Sequence, residues 1–353
     1  MEAAAIFLSL FFAMNIGASG AAASMGVAYG TGAIPRRLAA LILCGIGVIL
    51  GAVLGGGEVV KTISSGLIPK SVISIEIVLV IIGAAAISLF MANLMGIPLS
   101  TSEVTVGAVV GVGVAFQALY VQSILVIMAF WVIIPAAAFF ITYAVCKMAK
   151  PLFAKLEAKR GSLLIYLLIA AGFFEAFSAG MNNVANAVGP LVAANLMSVG
   201  QGVWLGGLFV AAGAILLGGR VLETNGKKIT NLSKSEGIVI STTGALLVVI
   251  SSLFGLPVPL TQVTSTSIMA SGAAKSGALV FQKGIVKKIV KVWLVSPLVS
   301  LAISYVLVKL FIKSDFYSTF SAIAVMTATL GVLSLMRAIK KEKSSVHEQG
   351  GGI

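Results

Sequence analysis

"EAFSAGMNNVANAVGP", Glu175 to Pro190, sets Asn182, Asn183 and Asn186 among glycines in a chain that is otherwise almost all Leu, Ile, Val, Ala and Gly. A buried amide must find hydrogen-bond partners, so three Asn within five residues exceed what packing alone requires. The stretch has a counterpart near the start. "GASGAAASMG" (Gly17 to Gly26) lines up with "GMNNVANAVG" (Gly180 to Gly189), and "GGGEVVKT" ending at Thr62 with "LGGRVLET" ending at Thr224. Farther on, "GIPLSTSE" (Gly96 to Glu103) matches "GLPVPLTQ" (Gly255 to Gln262), and Trp131 with Pro135 matches Trp293 with Pro297. All four pairs keep their order at a nearly constant displacement of about 160 residues, which marks an internal duplication. The chain reads as two copies of one unit.

Composition sets the class. The 353 residues are 59% hydrophobic and 10% charged, with a mean hydropathy of +1.11. The stretches between charged clusters are long enough to cross a hydrocarbon core, which takes about 20 apolar residues as a helix, and barrel-type alternation is absent. The expected fold is an all-α polytopic membrane protein with broken helices or re-entrant segments. The start, "MEAAAIFLSLFFAMNIG", has no basic n-region and reads as a retained span. Cys44 and Cys146 lie in apolar runs and read as small packing residues. The net charge of +13 sits in short loops and the tail, where the positive-inside bias places it, so no nucleic-acid partner is expected. The single His, His347, lies in the polar tail away from any other ligand. Neither a metal site nor a catalytic triad has material, and no cofactor or enzymatic activity is expected.

Loop charges orient the two copies. Arg36 and Arg37 are basic where the second copy has the uncharged "MSVGQG", whereas Lys283, Lys287 and Lys288 fall where the first copy has "GVAFQALYVQ". Equivalent loops thus lie on opposite faces, as in inverted repeats with an odd number of crossings. Five spans per half fit. The expected organisation is a first repeat over 1–146, a basic amphipathic cytoplasmic linker over 147–161, a second repeat over 162–312, a final unpaired span over 313–338 and a disordered tail over 339–353. The N-terminus is expected outside and the C-terminus inside the cell membrane.

Inverted repeats place a substrate near the midplane, where interrupted helices aim free amides at it. The runs from Ala3 to Ile34 and from Ser162 to Met197 each exceed one span and carry "NIGASG", "SAGMNN" and "GP" as expected interruptions. "MGIPLSTSE" and "FGLPVPLTQ" supply Pro, Ser and Thr at expected helix starts. Four such starts, related in pairs, would converge on one cavity whose dipoles favour an anion.

These residues resemble a family. "AGMNNVANAVGP" is similar to the GANDVANAIGP signature of inorganic phosphate transporters (the PiT family), and "GIPLSTSEVTVGAVVG" to its GLPVSTTHALVGAIIG motif. "GGRVLETNGKKIT" matches a further segment, so the likeness covers both halves. The resemblance implies an ion-coupled anion symporter with inverted repeats, and a homodimer. Departures cluster in the signatures. Asn183 stands where the family has Asp, and Ser19, Gly20 and Ala23 stand where it has Asn, Asp and Asn. Glu103 and Gln262 occupy positions usually held by His, and Pro259 and Leu260 replace a Ser and a Thr.

Losing both carboxylates has a chemical direction. Phosphate near neutral pH keeps a proton that a carboxylate can accept, whereas sulfate offers only acceptor oxygens and is repelled by one. The expected donors are Asn182, Asn183, Asn186, Ser19, Ser100, Ser102, Thr101 and Thr261 with the amides of Gly20 and Gly180, supported by Gln262 and Gly17. This pattern is most like the sulfate permease branch of the family. Sodium sites want anionic oxygens, so depleting them points to protons as the coupling ion, with Glu103 and Glu175 as candidate carriers. A sodium-coupled phosphate symporter and an oxyanion channel are the alternatives. Thiosulfate and molybdate share sulfate's acceptor geometry. Glu58 and Glu76 are expected near the outer face in water, and Asp315 in a solvent-facing loop.

Overall fold

The computed structural model of the chain describes residues 1–94, 99–325 and 327. Gly96, the tail over 339–353 with His347, and all but Thr327 of the expected final span beyond Val325 lie outside the described residues. Among the described residues, eleven helices of ten residues or more follow in order. They are α1 (Glu2–Ser24), α2 (Arg37–Gly55), α3 (Ile75–Leu94), α4 (Thr101–Phe116) and α5 (Val121–Met148). Then come α6 (Lys150–Ala193), α7 (Val199–Leu217), α8 (Lys234–Leu253), α9 (Leu260–Ser276), α10 (Gly284–Ile312) and α11 (Phe316–Val325). Eight of these are long and apolar enough to cross a membrane, which makes this a multi-pass membrane protein. Corresponding elements match in length: α2 and α7 are each 19 residues, and α3 and α8 each 20. Large apolar side chains such as Leu54, Val132, Leu216 and Leu294 remain exposed on the outside of the bundle, as lipid contact requires.

Local chemistry sets the helix starts. Ser198 and Ser233 each form a capping box, with Gln201 and Glu236 respectively, and so fix α7 and α8. The Ser100 hydroxyl accepts from the Glu103 amide at the start of α4. Asp315 does more than face water. It caps α11 by accepting the Ser318 amide at 3.0 Å and pairs with Lys309 at 3.0 Å. The Ser318 side chain and amide, then Lys309, draw its carboxyl down to about 2.

Glycines let backbones touch between the halves. A Cβ on Gly17 of α1 would fall 1.9 Å from the Val210 carbonyl of α7, and one on Gly180 of α6 would fall 2.1 Å from the Val48 carbonyl of α2. The pair repeats a turn away, where a Cβ on Gly51 would fall 1.8 Å from the Phe177 carbonyl and one on Gly213 1.9 Å from the Met14 carbonyl. Each half thus lays its first helix against the second helix of the other. Without a hydrophobic drive between helices in lipid, such close approach carries the packing energy.

The three expected interruptions are absent. α6 stays helical through "SAGMNN" and past Pro190 to Ala193, with its one non-helical residue at Arg160. "NIGASG" forms a π-helical turn, Gly17–Ala21, inside α1, and the chain bends only at Met25. Glycines weaken a helix by about 1 kcal/mol each, but here the contacts they permit offset that cost.

Candidate functional site

Two of the four expected helix starts exist: Thr101 at α4 and Leu260 at α9. The first turn of α4 meets the Asn cluster of α6 through Thr101 and Ser102, and the segment ahead of α9 meets it through Leu256 and Val258. Gly20 and Gly180 lie inside helical turns, so their amides belong to those helices and are not free donors. Their value is space, since Gly17 and Gly180 admit a neighbouring carbonyl and Gly20 admits Asn183.

The serine and asparagine side chains divide into latches and free donors. The Ser19 hydroxyl donates to the Leu99 carbonyl at 3.0 Å and accepts its amide at 3.2 Å, which fastens the segment ahead of α4. Asn182 does the same ahead of α9. It accepts the Val258 amide at 3.1 Å and donates to the Leu256 carbonyl and the Ser252 hydroxyl, each at 2.9 Å. Ser102 donates to the Val258 carbonyl at 3.1 Å. Ser19, Asn182 and Ser102, expected as anion donors, therefore have their donors committed to holding the two helix starts in place.

What remains is compact. The Asn183 Nδ2 and the Thr261 hydroxyl are buried without a partner. A Cβ on Gly20 would lie 2.7 Å from Asn183 Nδ2 and 3.8 Å from the Thr101 methyl, so these three residues face one spot. Asn186 donates to the Thr101 and Ser102 hydroxyls at 3.1 and 3.2 Å, and its Oδ1 has no partner. Because the Thr101 hydroxyl is not otherwise committed and can donate as well as accept, the carboxamide can turn over, keep that one bond and present its N–H groups to a ligand. Thr101, Asn183 and Asn186 are each at most 2% exposed, so the spot is closed to solvent, and Ser100 and Thr261 at the two helix starts are equally buried. Unpaired amide and hydroxyl donors there suit an anion, and no carboxylate projects from position 20 or 183.

The two carboxylates are placed differently. Glu103 accepts the Gln262 side-chain amide at 2.7 Å, a bond between matching positions of the two halves. Both residues line a cavity of about 410 Å³ with Trp131, Trp293, Met128 and Leu298, and the rest of its lining is mainly apolar. Trp131 is anchored on the Pro257 carbonyl at 3.0 Å. Glu175 is completely buried and accepts the Thr264 hydroxyl. Sequence reading missed the Ser252 and Leu256 partners, which carry no motif, and the Glu103–Gln262 bond. The latter had a signal, because the duplication aligns those two positions. Cys44 and Cys146 are buried free thiols, and Glu58 is exposed beside Lys61 at 2.6 Å.

The family model described as the phosphate transporter family matches residues 16–163 and again 153–304. The sulfate permease CysP of Bacillus subtilis is 64% identical over 356 residues, covering all of both chains. A solved structure titled the sodium-dependent phosphate transporter superposes with a TM-score of 0.78 at 24% identity, over 88% of this chain and 99% of that one. With both halves matched and identity running the full length, the chain is a membrane transporter, not an enzyme, and belongs to the phosphate transporter family.

Proposed function

We propose that the protein is a secondary active transporter that imports sulfate across the cell membrane by proton-coupled symport. The observation that carries this reading is the unpaired Asn183 amide facing Gly20, at the two positions where the family's carboxylates would stand. A donor-only pocket holds a fully ionised tetrahedral oxyanion and forgoes the carboxylate that would accept a phosphate proton. The name carried by the 64% identical relative agrees.

Two inverted repeats, 1–146 and 162–312, joined by the basic linker 147–161 and followed by a final span, frame the site. The double family match and the paired glycine contacts support this division. The N-terminus then faces out, the C-terminus in, and the protein works as a homodimer. An inside-negative potential opposes each entering charge by about 2.3 kcal/mol per 100 mV. Glu103 and Glu175 are two buried carboxyls, and two protons would cancel the charge of one sulfate.

Uptake of radiolabelled sulfate into proteoliposomes, under separately imposed proton and sodium gradients and with phosphate as competitor, tests the reading. A pH gradient is expected to drive saturable accumulation that excess phosphate leaves intact. Sodium-driven phosphate uptake, or an unsaturable sulfate current, would overturn it.

A further inference from the structure

Glu175 sits two turns before Asn182 on α6, its Oε2 has no partner, and it forms no ion pair among the described residues. Each helix packed against it presents small or hydroxylic groups. Thr264 of α9 donates to it, and the Ser241 hydroxyl of α8 faces it. A Cβ on Gly244 of α8 would lie 3.2 Å from its Oε1. The Cys44 thiol of α2 is the other titratable group turned toward it among the described residues.

Beyond Thr264, α9 carries Ser267, Ser271 and Lys275 at steps of three and four, and so along one face. Ser241, Ser267 and Ser271 are completely buried; the Ser267 hydroxyl has no partner, and those of Ser241 and Ser271 face only Glu175 and Cys146, beyond close hydrogen-bond geometry. Ser271 lies beside Cys146, which lines a cavity of about 190 Å³ with Lys275, Glu236, Lys150 and Glu157. At its rim, Lys275 and Glu236 pair at 2.6 Å. From Thr264 to Lys275 the helix rises about 16 Å. Buried hydroxyls without protein partners are where ordered water belongs, and each can accept a proton on one side while donating on the other.

The repeat itself does not call for this file. The positions matching Glu175, Ser241, Ser267 and Ser271 in the first half are Phe12, Ile82, Ala108 and Val112. Thr264 has Thr105 as its counterpart, itself a buried hydroxyl, but the serine positions are met there with apolar side chains, so Ser241, Ser267 and Ser271 answer to something other than fit.

We propose that Glu175 delivers the coupling proton to the face that carries the α5–α6 junction, through water held by Thr264, Ser241, Ser267 and Ser271, with the Lys275–Glu236 pair closing the mouth. This inference rests on the proton-coupled reading of the site. The Glu175 acid gives its O–H proton to the first water, and the file passes one proton on to the cavity. A carboxylate remains, held by the Thr264 hydroxyl.

The test uses the full chain in proteoliposomes with radiolabelled sulfate. Glu175→Gln is expected to lower pH-driven accumulation by about a hundredfold, in the range set by loss of a proton-transfer group, while sulfate–sulfate exchange at equal pH persists. Glu175→Asp recovers part of the driven uptake. Ser267→Val with Ser271→Val, which leaves the carboxyl in place, slows driven uptake and spares exchange. If the unaltered protein ignores the pH gradient, the proton-coupled reading falls and takes this inference with it. If it responds and Glu175→Gln or the paired valine variant responds equally, only the inference falls. Loss of exchange together with driven uptake in Glu175→Gln, or a requirement for sodium that this variant removes, overturns it as well.

Discussion

The two halves of the molecule share their framework and divide their chemistry unequally. Gly17 on Val210 and Gly180 on Val48 are the same contact made twice, and Ser19 on Leu99 mirrors Asn182 on Val258. The free donor Asn183, however, has Gly20 as its counterpart, and Glu175 has Phe12. A repeated unit therefore keeps two copies of what positions the helix starts, and one copy of the groups proposed to bind the anion and carry the proton. One half can supply functional groups while the other supplies the room they need.

The strongest way to break this contrast is Asn183→Asp. An Asp there buries a carboxylate facing Gly20 with no cation beside it, so sulfate uptake should fall by about a hundredfold or more, given 3–5 kcal/mol for an uncompensated buried charge. Uptake at the original rate would show that the amide does not contact the anion. The framework claim is tested by Gly17→Ala and Gly180→Ala. Each forces a Cβ onto a carbonyl and should cost about 1–3 kcal/mol, read as thermal stability in detergent. Unequal losses would mean that the two contacts are not equivalent. The smallest effect concerns the helix starts. Ser100→Ala removes the α4 cap and should cost about 1 kcal/mol, with Ser100→Gly losing less. α9 starts after Pro259 with no side-chain cap, so it offers no matching loss. A silent Ser100→Ala would show the α4 start to be held by Ser19 and Leu99 alone.

Much of this was legible in the residues. Hydropathy located the spans because lipid leaves a chain few options, and the aligned Gly, Pro and Trp positions pointed to a duplication, to which the double family match lends support. The starts of α4 and α9 were readable from Pro, Ser and Thr. The continuity of α6 was not, because Gly and Asn signal a break when only local propensity is weighed. Here Gly180 is retained by the Val48 carbonyl on a distant helix. Asn182 was misread for a related reason. Its type announces a donor, but whether that donor is spent on Leu256 and Ser252 or left for a ligand depends on the end of α8 and the loop after it, 70 and 74 positions away.

The glycine crossings bear on how such a protein drifts. Every residue carries the same carbonyl, so a crossing that rests a glycine on a carbonyl constrains one partner's identity and leaves the other free to vary. Val48, Val210, Met14 and Phe177 can each be exchanged without altering the atom that is touched. A scaffold locked this way can lose most of its side-chain identity while its helices keep their places.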